Sequence, residues 1–190
     1  DSTLTIDPAE ARASVTVTQQ YHRRRAIGAD FATTFGKLGL RGEAAYFLTE
    51  DWDGANPAID DPYLHAVIGV DYTFNNLFPG KDLFVLAQWS QEFQLPDRNT
   101  VYDIFDLNHV FRQSLLAKAD LGLGDFSKLT VEGAYNFKGD DWWLRPGLEW
   151  SLTDGVKLLA CVDLLGGPED SFFGAYRDNR RAQVRVKYRF

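Results

Sequence analysis

The chain has 190 residues, 14% of them aromatic, and a formal net charge of -7. This length suffices for one domain with a sizeable core, and the negative charge argues against a nucleic-acid partner. No run of about 18 apolar residues occurs, which excludes a transmembrane helix but not a membrane β-barrel, whose strands alternate apolar and polar residues. The single Cys161 provides no disulfide framework and no metal site. Methionine is absent, so we expect a processed protein or a piece of a longer one.

Alternating apolar and polar residues recur along the chain in segments that turn residues separate. After an irregular N-terminal segment at 1–13, the pattern predicts ten strands and no helix. The strands span 14–21, 26–35, 38–48, 63–74, 83–93, 109–121, 129–137, 142–152, 156–164 and 182–190. Pro146 falls inside one of them and cannot donate a ladder hydrogen bond, so we expect a bulge or distortion there.

The connections between these strands alternate between the two ends of the predicted sheet. Short turns at 36–37, 75–82, 122–127 and 153–155 fall at one end. The mostly longer connections at 50–62, 94–108, 138–141 and 166–180 fall at the other. This separation is typical of transmembrane barrels, whereas a soluble sandwich has no reason to show it. The sequence therefore predicts an all-β fold, a closed antiparallel up-and-down transmembrane β-barrel of about ten strands over 14–190.

The polar positions of the strands carry eight acids and eight bases, because successive side chains of a strand point to opposite faces. A balanced set of this kind can pair inside a lumen, although in a soluble sheet the same face would simply be solvated. The predicted lumen-lining residues are Asp30, Arg41, Glu43, Asp71, Glu92, Arg112, Lys118, Asp120, Glu132, Arg145, Glu149, Lys157, Asp163, Arg185, Lys187 and Arg189. Leu116 and Leu159 interrupt this polar set.

Aromatic residues of the apolar set cluster near the strand ends. Membrane barrels carry aromatic girdles at the depth of the lipid headgroups, whereas a soluble core is the competing explanation for buried rings. The predicted girdle consists of Phe35, Tyr46, Phe74, Phe93, Tyr135, Phe137, Trp150, Tyr188 and Phe190.

Three segments resemble Gram-negative outer-membrane β-barrel proteins of the porin-like type: LRGEAAYF at 40–47, GPEDSFFGAYRDNRR at 167–181 and QVRVKYRF at 183–190. The resemblance covers about residues 25–190 and implies a location in the cell outer membrane, in contact with lipid and lipopolysaccharide. It also implies that the barrel-assembly machinery recognises the final strand. Gln183, Tyr188 and Phe190 match that assembly signal, whereas Arg185 stands where glycine is common.

Two functions fit these predictions. The first is a porin-like channel for passive passage of ions or small solutes. The second is a non-conducting structural or binding barrel whose surface loops contact partners or lipopolysaccharide. Whether 14–21 pairs with 182–190 decides the architecture. If the two segments pair, the barrel is complete and narrow. If they do not, other protein subunits or a missing segment complete it, as in the C-terminal part of a larger barrel.

We expect no catalysis, no cofactor and no metal. A hydrolytic barrel needs a histidine beside a serine or an acid, and the spacing of His22, His65 and His109 indicates no such pair. The aspartates of the 50–62 loop offer the oxygen ligands that Ca²⁺ prefers, but their spacing is not that of an EF-hand, so a solvated loop is the simpler interpretation. These aspartates are Asp51, Asp53, Asp60 and Asp61.

Overall fold

Eleven strands make up the regular structure of the computed structural model, which describes residues 2–7, 12–17, 22–56, 59–95 and 110–189. Strands β1 and β2 form a two-stranded antiparallel sheet, and β3 to β11 form a nine-stranded sheet in which every strand pairs with its neighbours in the chain. Their bounds are β1 Ser2–Asp7, β2 Arg12–Val17, β3 Arg25–Phe35, β4 Leu38–Leu48, β5 Tyr63–Phe78, β6 Lys81–Gln94, β7 Gln113–Gly122, β8 Ser127–Asn136, β9 Asp141–Thr153, β10 Val156–Gly166 and β11 Arg181–Tyr188.

The all-β, antiparallel, up-and-down character predicted from the alternation is confirmed. Tight turns form where the local sequence favours them. Gly36, with a φ of 63°, lies in the turn between β3 and β4, a backbone conformation that glycine adopts without steric cost. In the next hairpin, Asn76 donates its amide to Asp82 and its side chain accepts the amide of Gly80.

The connections alternate between two ends of the sheet, because consecutive strands are antiparallel. The β3–β4, β5–β6, β7–β8 and β9–β10 turns lie at what we call the short-turn end. The β4–β5, β6–β7, β8–β9 and β10–β11 connections lie at the long-loop end. Of these, the final loop at 167–180 contains a short 3-10 turn over Gly174–Tyr176. Residues 96–109 of the β6–β7 connection lie outside the described residues.

The sheet is not closed, which corrects the prediction of a closed barrel of about ten strands. Among the described residues, β3 and β11 each have one neighbour and form the two edges of the nine-stranded sheet. The predicted strand at 14–21 corresponds to β2, which pairs with β1 and not with β11, and residues 18–21 lie outside the described residues. The expected irregular segment at 1–13 is wrong for Ser2–Asp7, which is a strand.

The distortion predicted at Pro146 is present as a local interruption of the ladder with β10, but no bulge forms there. Pro146 keeps its register with Val131 of β8, and the pairing of β9 with β10 has the same offset on both sides of it. The register instead shifts between Val156 and Lys157, next to the β9–β10 turn. Pro146 therefore interrupts the ladder with β10 without inserting an extra residue.

No helix in the described part of the chain is long and apolar enough to cross a membrane. Buried hydrophobic side chains are few among the described residues, namely Tyr63, Ala134 and Phe173. The most buried side chains are mainly polar instead, including Ser114 with no exposed surface, Asp141 at 1% and Ser90 at 2%. Folding thus removes polar groups from the surface and leaves large apolar groups exposed, the reverse of the usual distribution.

Candidate functional site

One face of the nine-stranded sheet carries nearly all of its charge, and we call it the polar face. Cross-strand register defines it, because Asp30 lies opposite Glu43, and Lys118, Glu132 and Arg145 lie opposite one another on successive strands. Fourteen of the sixteen predicted lumen-lining residues belong to it by this register: Asp30, Arg41, Glu43, Asp71, Glu92, Lys118, Asp120, Glu132, Arg145, Glu149, Lys157, Asp163, Arg185 and Lys187. Arg112 and Arg189 lie just outside the strands. That these residues line a lumen stays a prediction.

The opposite face, which we call the apolar face, is almost free of charge. Within the nine strands its only charged residues are Arg25 and Lys81, the first residues of β3 and β6. Its large side chains are exposed, as in Ile27 at 71%, Ile68 at 52% and Val184 at 73%. An exposed apolar surface of this extent marks a place where a protein meets an apolar environment or a partner.

Aromatic rings mark both ends of the apolar face. Phe35, Phe74, Trp150 and Tyr188 lie toward the short-turn end, and Tyr46, Phe93, Tyr135 and Phe137 lie at the long-loop end. Phe190, the last predicted girdle residue, is outside the described residues. On β9 the interval runs from Trp142 to Trp150, about 26 Å at a rise of ~3.3 Å per residue.

Ion pairs connect β8 to β11 across the polar face. The Asp163 carboxylate is buried and accepts hydrogen bonds from Arg145 Nε at 2.6 Å, Arg181 Nη2 at 2.9 Å and Trp143 Nε1 at 3.1 Å. Arg145 also reaches Glu132, with Nη1 3.3 Å from Oε1. Arg181 is missing from the residues predicted from the sequence, because it precedes the alternation at 182–190, although continuing that alternation by one residue includes it.

Further pairs occupy the rest of this face. Lys157 Nζ is 2.7 Å from Glu149 Oε1, Arg112 Nε is 3.3 Å from Glu92 Oε1, and Arg41 pairs with Asp71. Ser114, which is fully buried, donates to Asn136 Oδ1 at 2.6 Å. These contacts offset part of the cost of burying polar groups.

Near the long-loop end, a serine and a histidine meet that the sequence spacing did not indicate. His65 Nε2 is 2.7 Å from Ser90 Oγ, and Glu92 lies opposite His65 in the register. Ser90 Oγ donates its proton to the Phe111 carbonyl oxygen at 2.8 Å, so the imidazole must donate in the pair. The buried Ser90 hydroxyl thus links His65 of β5 to the segment before β7. His109 is outside the described residues.

The final loop is anchored on the polar-face residue Asp141. The backbone amide of Phe173 donates to the Asp141 carboxylate, and the Ser171 hydroxyl donates to the Pro168 carbonyl oxygen while accepting the Gly174 amide. The ring of Phe173 also meets that of Phe111, which precedes β7. The loop therefore reaches from the end of β10 toward the start of β7 at the long-loop end.

Two of the four aspartates of the acidic 50–62 loop make protein contacts. Asp51 accepts the amides of Ala55 and Asn56, and Asp60 pairs with Arg24. In the described residues no group of three or more histidine, cysteine, aspartate or glutamate side chains is arranged to hold a metal ion. At the start of this loop, a hydrogen bond from His22 holds the pKa of Glu50 below its ordinary value.

No family model, no curated protein and no solved structure matches this chain. The resemblance to porin-like barrels consequently rests on the residues quoted for it.

Proposed function

We propose that the nine-stranded sheet forms part of the wall of a transmembrane β-barrel in the outer membrane, and that its polar face lines a channel for passive passage of ions or small solutes. The observation that carries this proposal is the inverted distribution of the two faces. Apolar side chains are exposed on one face, while charged side chains pair on the other. Lipid on one side and water on the other would satisfy both.

The dimensions of the apolar face support the same proposal. Nine residues run from Trp142 to Trp150, close to the ~9–11 residues of a tilted transmembrane strand. Aromatic rings lie at both ends of this interval, where amphipathic side chains favour the headgroup region. A soluble sheet would leave this face in water at a large hydrophobic cost.

Closure of such a barrel requires more strands than the sheet contains. Because β3 and β11 are eight antiparallel steps apart, they run in the same direction. An entirely antiparallel barrel therefore needs an odd number of additional strands between them, which gives the even total typical of bacterial single-chain barrels. Unpaired edges are not tolerated in hydrocarbon, so these strands belong to the functional assembly.

The direct test is conductance across a planar lipid bilayer. Purified protein, refolded in detergent, is added to one side of the membrane and single-channel currents are recorded. Discrete, reproducible steps are the expected result, with a heat-denatured sample as the control. Folded protein that enters the bilayer without conducting would refute the channel and favour the non-conducting barrel. The final loop, anchored on Asp141 beside the polar face, is the observation that makes this second function worth testing.

The location and assembly partners rest on the resemblance. We propose that the barrel-assembly machinery recognises the final strand through Gln183, Tyr188 and Phe190, and that the mature protein contacts lipopolysaccharide. Deletion of Phe190 is expected to lower the amount of folded protein in the outer membrane, while refolding of the same variant in detergent is retained. Equal outer-membrane levels of the two proteins would refute this role.

A further inference from the structure

Charges are segregated across the polar face of the sheet. Strands β3 to β6 carry five acids and one base there, namely Asp30, Glu43, Asp71, Asp82, Glu92 and Arg41. Strands β7 to β11 carry five acids and seven bases, namely Asp120, Glu132, Asp141, Glu149, Asp163, Lys118, Lys128, Arg145, Lys157, Arg181, Arg185 and Lys187. The second half of the face therefore has an excess of positive charge.

The pairing within this half leaves cations without a carboxylate of their own. Lys118 and Lys128 share one oxygen, Asp120 Oδ2, which is 3.4 Å from each Nζ. Asp163 is likewise shared by two arginines. Arg185 and Lys187 form no ion pair with any residue that the structure describes. A shared carboxylate neutralises only one of its two cations, so positive potential remains.

A cavity of about 280 Å³ lies among these side chains. Its charged lining residues are Lys118, Lys128, Arg145 and Arg185 together with Glu132 and Glu149. Arg145 pairs with Glu132, and Glu149 pairs with Lys157 and lies opposite Lys128 in the register. The four cations of the lining still outnumber its two acids. The volume lies just below the range of ordinary ligand pockets, about 300–1,000 Å³, and suits a small solute.

We propose that this cavity is a binding site for a small oxyanion, one bearing phosphate or carboxylate groups, on the path through the channel. The inference rests on the proposed function, which it deepens by naming the class of solute. A guanidinium can bind two oxygens of a phosphate or carboxylate at once, and Arg185 is the cavity arginine without a protein partner among the described residues. Lys118 and Lys128, on β7 and β8, add point charges to the lining.

Cys161 lines the same cavity and is the only cysteine of the chain, so it reports on the cavity without any substitution. The full chain in lipid vesicles is treated with an anionic or a cationic methanethiosulfonate reagent, and the two rates are compared with those of free cysteine. We expect the anionic-to-cationic rate ratio to exceed that of free cysteine about tenfold at low salt. Inorganic phosphate, and separately succinate, should slow both reactions in a saturable manner.

The outcomes separate this inference from the proposed function. If Cys161 reacts at the rate ratio of free cysteine, or neither anion protects it, the anion site is wrong and the channel stands. If Cys161 reacts with neither reagent in folded protein, the polar face is not exposed to water, and both proposals fail. The Arg185→Gln variant should lose most of the protection, whereas Lys37→Gln, which removes the same charge from the β3–β4 turn, should retain it.

Discussion

Arg145 and Asp163 face each other across β9 and β10, with Nε 2.6 Å from Oδ1, and Arg181 holds the other carboxylate oxygen from β11. One buried carboxylate thus joins the last three strands of the sheet through their side chains. Asp163 is only 4% exposed, so loss of its charge leaves two arginines without their shared acceptor.

Asp163→Asn should therefore lower the free energy of unfolding by about 2 kcal/mol, less than for a fully buried pair because Arg181 is largely exposed. The measurement is urea-induced unfolding in lipid vesicles, followed by tryptophan fluorescence. Glu149→Gln is the matched control, since its partner Lys157 is half exposed and such pairs contribute less than about 1 kcal/mol. Equal losses in the two variants would show that Asp163 has no special role in stability.

Ile68 and Val67 are adjacent in β5 and lie on opposite faces, with Val67 opposite Glu43. We expect Ile68→Lys to lower the free energy of unfolding in lipid by about 2–4 kcal/mol, the cost of a cation on the lipid face of a barrel. Val67→Lys should cost less than about 1 kcal/mol, because the new ammonium lies beside an acid. The same urea titration measures both, and an Ile68→Lys variant as stable as the native protein would contradict lipid contact at this face.

Cys161 and Ala160 provide a second pair of neighbours on opposite faces of β10. A charged thiol reagent should modify the native protein in vesicles, because Cys161 lies on the polar face. In the Ala160→Cys, Cys161→Ala double variant, modification should be at least about tenfold slower, since the reagent must leave water to reach the thiol. Mass spectrometry of timed samples gives the rates, and indistinguishable rates would rule out opposite environments for the two faces.

Gly174 lies in the final loop, where an added Cβ would collide with the Pro168 carbonyl oxygen. Gly174→Ala should displace this loop from Asp141 while the sheet stays folded. Trypsin cleavage of the intact protein after Arg177 or Arg180 should become about tenfold faster, because local opening controls proteolysis. Gly122→Ala is the control, since its added Cβ would meet nothing nearer than 3.7 Å. Unchanged cleavage in Gly174→Ala would mean that the loop tolerates the substitution without opening.

Period-two alternation was sufficient to predict most strands and both faces. It located β4 at Leu38–Leu48 without error, because a glycine turn fixes its start and apolar residues or glycine occupy every second position from Leu38 to Leu48. It failed for Ser2–Asp7, where polar residues outnumber the apolar ones and the strand exists through pairing with β2. Alternation does not determine which strands pair with each other, so the unpaired edge of β3 could not be predicted from it either.

For the polar face too, some features were predictable from the alternation and others depend on strand pairing. Alternation identified fourteen of its charged residues but missed Asp82, Lys128, Asp141 and Arg181, which lie in the first two residues of their strands. The segregation of acids and bases into two halves of one face depends on which strands are neighbours. The contact between His65 and Ser90 joins residues 25 apart in the chain and follows from the register of β5 on β6. Arg181 was missed because the strand begins one residue earlier than its apolar residues suggest.

Because the two faces of the sheet differ, the tryptophans of the protein report on two environments through their fluorescence. Trp142 and Trp143 follow each other in β9, yet the first ring lies on the apolar face and the second donates a hydrogen bond to Asp163 on the polar face. Trp89 and Trp150 also lie on the apolar face, and Trp52 is exposed in the β4–β5 loop. Fluorescence quenchers dissolved in lipid and in water should therefore reach different members of the five, so that one emission spectrum contains both environments of the sheet.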